Sequence, residues 1–191
     1  MQPPQSEPNV KSEMTTDDVI EIIELFSRNH IDVIIDGGWG VDALLGIQTR
    51  KHEDLDIAMQ HRDVEKIRGL LEAKGYRDVP RDDTRECNFV LGDAKGHLID
   101  IHTYEYDSAG KIIFGVEYPY DSLKGVGRIK DCAVKCITAD WMVKFHSGYE
   151  LDENDYQDVK LLCERYGIEI PEGFEKFVMK DTQPLSGEKR E

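Results

Sequence analysis

The hydrophobic residues at the start of the chain follow first a helical and then a strand-like period. Between Thr16 and Asn29, apolar side chains recur every three or four positions, and acidic residues stand near the expected N-terminus, where the helix dipole favours them. β-branched residues then dominate positions 31–35, which is typical of a buried strand. A short helix is predicted over 39–45, where Gly46 would end it.

Further elements alternate in the same way along the rest of the chain. Positions 54–60 have the alternation of a half-buried strand, and a helix with one apolar face follows until Gly75. A turn rich in Gly and Asp at 92–96 separates two short strand patterns and predicts a hairpin. We therefore expect a mixed α/β (α+β) chain. The later predicted elements are strands at 88–91, 97–103 and 132–137, a short β-like patch at 111–114, and helices at 139–149 and from Asp152 or Asn154 to Tyr166.

The composition divides the chain into four parts. Residues 1–13 are polar and contain several prolines, so a disordered leader is expected there. The mixed α/β pattern occupies 14–137. A C-terminal helical region that shares one core with it is predicted over 138–180, and 181–191 is expected to be a polar tail.

The chain is strongly acidic, since 39 Asp and Glu against 24 Lys and Arg give a formal net charge of −15. This charge disfavours nonspecific attraction to nucleic acid or an anionic membrane and favours a cationic small molecule or divalent metals. Acidity that only keeps the protein in solution is the other interpretation. There is no secretory signal pattern and no run of about 18 apolar residues. We therefore expect a cytoplasmic protein with no membrane partner, whose four cysteines are reduced and mostly structural.

Three aspartates and a pair of glycines form the strongest chemical pattern. Alternation along the second strand directs Asp54 and Asp56 to one face, and Asp100 lies in an apolar strand that can pair beside them. The pair Gly37-Gly38 forms a turn directly before the short helix, so the backbone there can approach a phosphate without hindrance from a side chain. Oxygen ligands on rigid strands suit two Mg²⁺ ions that also hold substrate phosphates. The three aspartates are therefore the predicted metal ligands, and Asp100 is the best candidate for a base.

Two other interpretations of these residues stay open. Aspartates on a strand face are often solvated residues paired with Lys or Arg. The pattern Gly38-x-Gly40-x-x-Ala43, with Asp56 further on, also matches the dinucleotide-binding fingerprint of hydride-transfer enzymes. Against the second interpretation, the predicted helix is too short for a full crossover, and the acidic residues begin their strand instead of ending it.

Four segments together carry a family resemblance. They are Asp-Gly-Gly-Trp-Gly-Val-Asp-Ala-Leu-Leu-Gly at 36–46, His-Glu-Asp-Leu-Asp-Ile at 52–57, Leu-Ile-Asp-Ile-His at 98–102 and Phe-His-Ser-Gly-Tyr-Glu-Leu at 145–151. With these segments the chain resembles the small antibiotic nucleotidyltransferases of the DNA polymerase β superfamily. The lincosamide nucleotidyltransferases are the most similar group, and the aminoglycoside 2″-adenylyltransferases come next.

The resemblance implies a nucleotidyltransferase fold, with a small mixed β-sheet, flanking helices and a C-terminal helical part, in which 14–137 is the catalytic domain. It implies Mg²⁺-dependent transfer of AMP from ATP to a hydroxyl of a small-molecule acceptor, a lincosamide or an aminoglycoside, giving antibiotic resistance. By the same resemblance, Asp54 and Asp56 bind magnesium, Asp100 completes the site or acts as the base, and the glycine pair lies at the nucleotide. The segment at 145–151 favours the lincosamide group, and a homodimer is also implied.

Two other function classes use the same architecture. Minimal nucleotidyltransferases of toxin-antitoxin modules modify RNA or protein, although the acidic charge of this chain argues against a nucleic-acid acceptor. A nucleotide-binding module without turnover is the third class. The complete set of three aspartates argues against that class.

Several residues around the main pattern carry weaker signals. Arg50 and Lys51 directly precede the carboxylates and are candidate contacts to the triphosphate, with a solvated loop as the other interpretation. Trp39 is expected in the core or in the wall of the nucleotide pocket. Asp36 and Asp42 flank the glycine turn. From the short helix Asp42 could reach a substrate amine, but exposure at the surface is the expected interpretation.

Histidines and a C-terminal helix supply the last candidates. His102 shares a strand face with the proposed base, where it could orient that base or the substrate. The helix over 139–149 is predicted to contact the catalytic half, and its His146 is expected to be buried and hydrogen-bonded. Lys144 and Tyr149 on the same helix are further candidates for substrate contacts.

Overall fold

The computed structural model describes residues 12–147, 151–175 and 177. The expected leader at 1–13 lies outside these ranges except for its last two residues, and the expected tail at 181–191 lies wholly outside them. The helices are α1 (Thr16–Arg28), α2 (Gly37–Leu45), α3 (Val64–Ala73), α4 (Ala139–Phe145) and α5 (Glu153–Tyr166). The strands are β1 (Val33–Ile35), β2 (Asp54–Gln60), β3 (Arg77–Asp78), β4 (Asn88–Gly92), β5 (Leu98–Tyr106), β6 (Ile112–Gly115), β7 (Gly125–Ile129) and β8 (Cys132–Cys136).

The strands form one mixed sheet in the order β3-β4-β5-β2-β1-β8-β7, and β6 pairs with β5. At its centre β2 runs parallel to β5 and antiparallel to β1. The antiparallel β1–β2 pair excludes the dinucleotide-binding interpretation, because that fold joins its first two strands by a parallel crossover. The mixed sheet with flanking helices confirms the predicted fold class.

The first two helices form where the sequence predicts them. Thr15 caps α1, whose buried side chains lie on one apolar face. Helix α2 begins at Gly37, earlier than the predicted start at residue 39, because the Asp36 carboxylate accepts a hydrogen bond from the Gly37 N–H at 2.8 Å and caps the helix. Gly46 ends α2 in a left-handed conformation, as predicted.

The segment between β5 and β8 departs from the prediction, which gave only a β-like patch at 111–114. Strand β7 also forms there, at the edge of the sheet. Its buried positions include Gly125 and Gly127, whereas Val126 between them is 72% exposed. The usual alternation of apolar and polar side chains is therefore absent, and hydrophobic patterning cannot detect this strand.

The cysteines agree with the expectation of reduced thiols. All four cysteines are free thiols, and burial raises the pKa of Cys136 to about 12, which keeps its thiol protonated. Among the helices of the described ranges, none is long and apolar enough to cross a membrane.

Candidate active site

The register of two parallel strands brings the predicted aspartates together. Strand β2 pairs with β5 along its whole length, with Asp56 opposite Asp100 and Asp54 opposite Leu98. Alternate side chains share a face and neighbouring strands lie about 4.8 Å apart, so the three carboxylates occupy one small area. All three residues are half-buried. They are therefore partly withdrawn from water and still open to a ligand.

Neighbouring carboxylates disfavour the charged forms of Asp56 and Asp100. Burial, followed by the charges of Asp54 and Asp100, holds the pKa of Asp56 well above its ordinary value. Burial also raises the pKa of Asp100, although His102 and Arg81 act in the opposite direction. Within the described residues the Oδ1 atom of Asp100 is buried and has no hydrogen-bond partner. Such a group of carboxylates favours a bound cation.

The glycine pair lets the first turn of α2 lie directly against this group. Gly37 has a left-handed φ of 55°, and a β-carbon at this position would overlap the Oδ2 atom of Asp56. A β-carbon on Gly38 would overlap the side chains of His52 and Arg50. The absence of side chains at both positions is thus a requirement of the packing. Both glycines are half-buried, so this turn stays partly open to solvent beside the carboxylates.

A short chain of hydrogen bonds connects the cap of α2 to His102, which lies beside Asp100. The Tyr118 hydroxyl donates to Asp36 at 2.8 Å, and its oxygen lies 3.1 Å from His102 Nδ1. Burial raises the pKa of Tyr118 well above its ordinary value, so the hydroxyl keeps its proton. Since that proton points to Asp36, the Tyr118 oxygen accepts the Nδ1–H of His102. The Nε2 atom of His102 then faces Asp100 Oδ1 at 3.5 Å.

The sequence did not identify two residues of this site, Tyr118 and Arg81, and a third, Asp36, lies in a different environment from the one expected. Asp36 is buried, not at the surface as the sequence predicts, because it caps α2 and accepts the Tyr118 hydroxyl. Tyr118 lies in the Gly- and Tyr-rich segment after β5, where no period marks it. Arg81 lies between β3 and β4, and its Nη1 atom donates to Asp100 Oδ2 at 3.2 Å. Only the fold brings the last two residues to the carboxylates.

Comparison with known proteins gives the family. The family model for aminoglycoside-2″-adenylyltransferase matches residues 18–162, most of the chain. This chain belongs to the aminoglycoside-2″-adenylyltransferase family. A lincosamide resistance protein from Staphylococcus haemolyticus is also 31% identical over 154 residues, which are 78% of this chain and 94% of that protein. The chain is therefore a nucleotidyltransferase of the lincosamide and aminoglycoside resistance type.

Solved structures agree with this assignment. The lincosamide antibiotic adenylyltransferase LnuA, in a lincomycin-bound crystal structure, is 29% identical with a TM-score of 0.69, over 79% of this chain and 98% of that chain. ANT(2″)-Ia in complex with adenylyl-2″-tobramycin is 21% identical with a TM-score of 0.65, over 78% of this chain and 88% of that chain. At 21% identity, the similarity to ANT(2″)-Ia shows a shared fold only.

Magnesium fits the carboxylates of this nucleotidyltransferase, although the carboxylates alone do not form a complete metal site. In the part of the chain that the structure describes, no group of three or more His, Cys, Asp or Glu side chains is arranged as a metal cluster. Mg²⁺ does not need one, since it is usually held by one or two carboxylates with waters and substrate phosphates. The unpartnered Oδ1 of Asp100 and the mutual repulsion of Asp54 and Asp56 are what a hard divalent cation would relieve.

Arg50 and Lys51, the basic candidates before β2, each have an acidic partner within this nucleotidyltransferase. Arg50 Nη2 lies 2.7 Å from Asp158 Oδ2 on α5, a carboxylate whose side chain is 2% exposed. Lys51 is 84% exposed and lies 2.9 Å from Glu13. The guanidinium of Arg50 borders Gly38 at the start of α2, whereas Lys51 has only its surface partner among the described ion pairs. Contacts of either residue with a nucleotide stay a prediction.

Two residues of α2 are interior residues. Asp42 is 2% exposed, not at the surface as the sequence predicts, because it accepts hydrogen bonds from the Thr49 N–H at 3.0 Å and hydroxyl at 2.6 Å and also contacts His52. These bonds fix the loop that leads into β2. Trp39 is 1% exposed, and its ring lies 4.7 Å from that of His52. Trp39 thus lies in the core, one of the two positions expected for it.

Helix α4 contacts the wall of the site, as predicted. The Phe145 ring lies 5.8 Å from the Tyr118 ring in an edge-on arrangement. His146 is buried, and its Nδ1 lies 3.0 Å from a backbone carbonyl one turn earlier, which confirms the expected hydrogen-bonded histidine. Lys144 lies over the ring of a neighbouring tryptophan, 4.2 Å from its centre. Tyr149 lies outside the described residues.

Proposed function

We propose that this adenylyltransferase transfers AMP from ATP, with Mg²⁺, to a hydroxyl group of a lincosamide antibiotic. The observation that supports this most is the pairing of Asp56 with Asp100 across β2 and β5, directly against the first turn of α2. Carboxylates that need a cation, next to a half-buried glycine turn at a helix N-terminus, suit a metal-bound triphosphate.

Each aspartate has a part in the proposed reaction. Asp54 and Asp56 would hold the metal, which when bound neutralises negative charge on the phosphates of the donor. Asp100 either completes this set or accepts the proton of the acceptor hydroxyl, for which its unpartnered Oδ1 is available. The hydroxyl oxygen bonds to the α-phosphorus, the bond to pyrophosphate breaks, and the proton goes to Asp100. The raised pKa of Asp100 makes it a better base than an ordinary carboxylate.

The acceptor is proposed from the relatives. The chain is 31% identical to a lincosamide resistance protein and has the fold of the lincomycin-bound LnuA structure. The family model names the 2″ position of aminoglycosides, so these antibiotics are the second acceptor class. Both classes carry positive charge, which suits a chain of net charge −15.

The proposal is tested by incubating the protein with labelled ATP and Mg²⁺ against panels of lincosamides, aminoglycosides, tRNA and a candidate partner protein. Label on a lincosamide, and none when Mg²⁺ is chelated, is the expected result. Label on aminoglycosides alone would replace the acceptor and keep the reaction. Label only on RNA or protein would overturn the proposal in favour of a toxin-like nucleotidyltransferase. The homodimer implied by the resemblance is a separate prediction, which light scattering of the purified chain measures.

Gly37→Ala is expected to lower kcat/KM by about tenfold or more, because its methyl group must displace the Asp56 carboxylate. Gly46→Ala is the matched control. It lies at the other end of the same helix with a similar φ of 74°, and nothing lies within 4 Å of the added β-carbon. Both variants carry a backbone strain of about 1–2 kcal/mol. Steady-state kinetics and thermal melts separate strain from displacement, and equal activity of the two variants would contradict the role given to Gly37.

A further inference from the structure

Arg81 occupies the mouth of the carboxylate group. Its Nη1 atom lies 3.2 Å from Asp100 Oδ2, and its side chain is 39% exposed, against 14% for that of Asp100. The guanidinium therefore stands on the solvent side of the carboxylate that it binds. A ligand that binds Asp100 Oδ2 must displace this cation or share the oxygen with it.

The charge of Arg81 acts on both central strands. It lowers the pKa of Asp56 as well as that of Asp100, against the larger effect of burial in each case. The guanidinium thus lies close enough to influence the charges of the neighbouring aspartates on β2 and β5. It supplies positive charge at the place where a metal ion and a triphosphate would supply their own charges.

Hydrogen bonds fix the backbone at Arg81, whereas its long side chain can rotate. The Arg81 N–H donates to Thr84 Oγ1 at 2.8 Å, and the Thr84 N–H donates back to the Arg81 carbonyl at 3.1 Å. The turn holds the Cα atom of Arg81 beside the site. The guanidinium can exchange one partner for another by rotation of its own side chain.

A divalent cation bound at the same carboxylates would displace Arg81 from Asp100. Two positive groups cannot share Asp100 Oδ2 at close range without strong repulsion. The donor triphosphate brings several anionic oxygens to the same mouth, and a guanidinium fork binds phosphate oxygens in pairs. We propose that Arg81 is a binding residue for the phosphates of the donor nucleotide and is held on Asp100 until metal and nucleotide arrive. This inference rests on the proposed function.

Arg81→Gln tests the proposal through two equilibria that should move in opposite directions. Without nucleotide, the variant should bind Mn²⁺, measured as a stand-in for Mg²⁺, about two- to fivefold more tightly, because the competing cation is gone. With Mg²⁺ and a non-hydrolysable ATP analogue, it should bind the nucleotide about tenfold more weakly or worse. Arg81→Lys keeps the charge without the fork and should recover only part of the nucleotide affinity.

Arg85→Gln is the matched control. Arg85 lies in the same segment, but its Nε atom donates to the backbone carbonyl of Asp83 at 3.4 Å, and both affinities should stay at the wild-type values. Equal nucleotide affinity of the Arg81 and Arg85 variants would overturn the proposal. Tighter Mn²⁺ binding with unchanged nucleotide affinity would also overturn it and leave Arg81 as a counter-charge only. Failure of the wild-type protein itself to bind the ATP analogue would instead contradict the proposed function.

Discussion

Asp56→Asn is expected to abolish nucleotide transfer and at the same time to stabilise the metal-free protein. Asparagine keeps the shape of the side chain opposite Asp100 but removes the charge that would bind the metal. We expect kcat/KM to fall by about 10²–10³-fold or more. The assay is transfer of labelled AMP to the acceptor that the panel identifies.

The gain in stability follows from the repulsion among the carboxylates. Because the pKa of Asp56 is raised in the folded protein, the folded state binds its proton more tightly than the unfolded chain does. Stability of the wild type must then fall as the pH rises from about 4 through the raised pKa. Asparagine does not titrate, so the variant avoids this loss. At neutral pH we expect a gain of about 1–2 kcal/mol, or roughly 2–8 °C in melting temperature.

Thermal melts at several pH values, with and without Mg²⁺, test both parts. The difference in melting temperature between variant and wild type should be small near pH 4 and grow toward pH 8. Added Mg²⁺ should stabilise the wild type and reduce that difference. Asp131→Asn, which neutralises an exposed carboxylate between β7 and β8, is the control. Substantial transfer by the Asp56 variant would remove this residue from the proposed metal ligands.

The meeting of Asp56 and Asp100 could be predicted because two local patterns agree. In each strand an aspartate is flanked by apolar residues that must face the core, namely Leu55 and Ile57 in one strand and Ile99 and Ile101 in the other. A shift of one residue in either strand would turn the whole apolar face to water. Burial of both faces therefore restricts the register, and the aspartates fall side by side although they are far apart in sequence.

Other parts of the site are fixed by long-range contacts that leave no local pattern. Tyr118 and Arg81 lie in segments without a regular apolar period, and each reaches the carboxylates only through the folded sheet. Asp36 and Asp42 look like surface residues, since lone carboxylates are usually solvated. In the structure both are buried because hydrogen-bond donors surround them. A residue type predicts exposure, but its partners decide burial.

Arg50 is another residue whose partner, not its place in the sequence, decides its role. Its substitution is expected to have a large effect on stability. Its position before the carboxylates suggests a phosphate contact, whereas the structure pairs it with Asp158, whose side chain is 2% exposed. Arg50→Met would leave that carboxylate buried without its cation. We expect a loss of about 2–4 kcal/mol in the free energy of unfolding, or roughly 5–15 °C in melting temperature, because an unpaired buried charge is strongly destabilising.

A double-mutant cycle with Asp158→Asn separates this structural role from a nucleotide contact. Once Asp158 is neutral, loss of the Arg50 charge should cost much less, so the double variant should be more stable than Arg50→Met alone. Urea unfolding of the four proteins gives the coupling, and the KM for ATP of each gives the second readout. If Arg50 acts mainly by joining the loop before β2 to α5, the double variant should recover much of its stability together with its KM. Unchanged stability of Arg50→Met with a large rise in KM would assign Arg50 to the triphosphate instead. A side chain that binds only the nucleotide does not stabilise the protein when the nucleotide is absent.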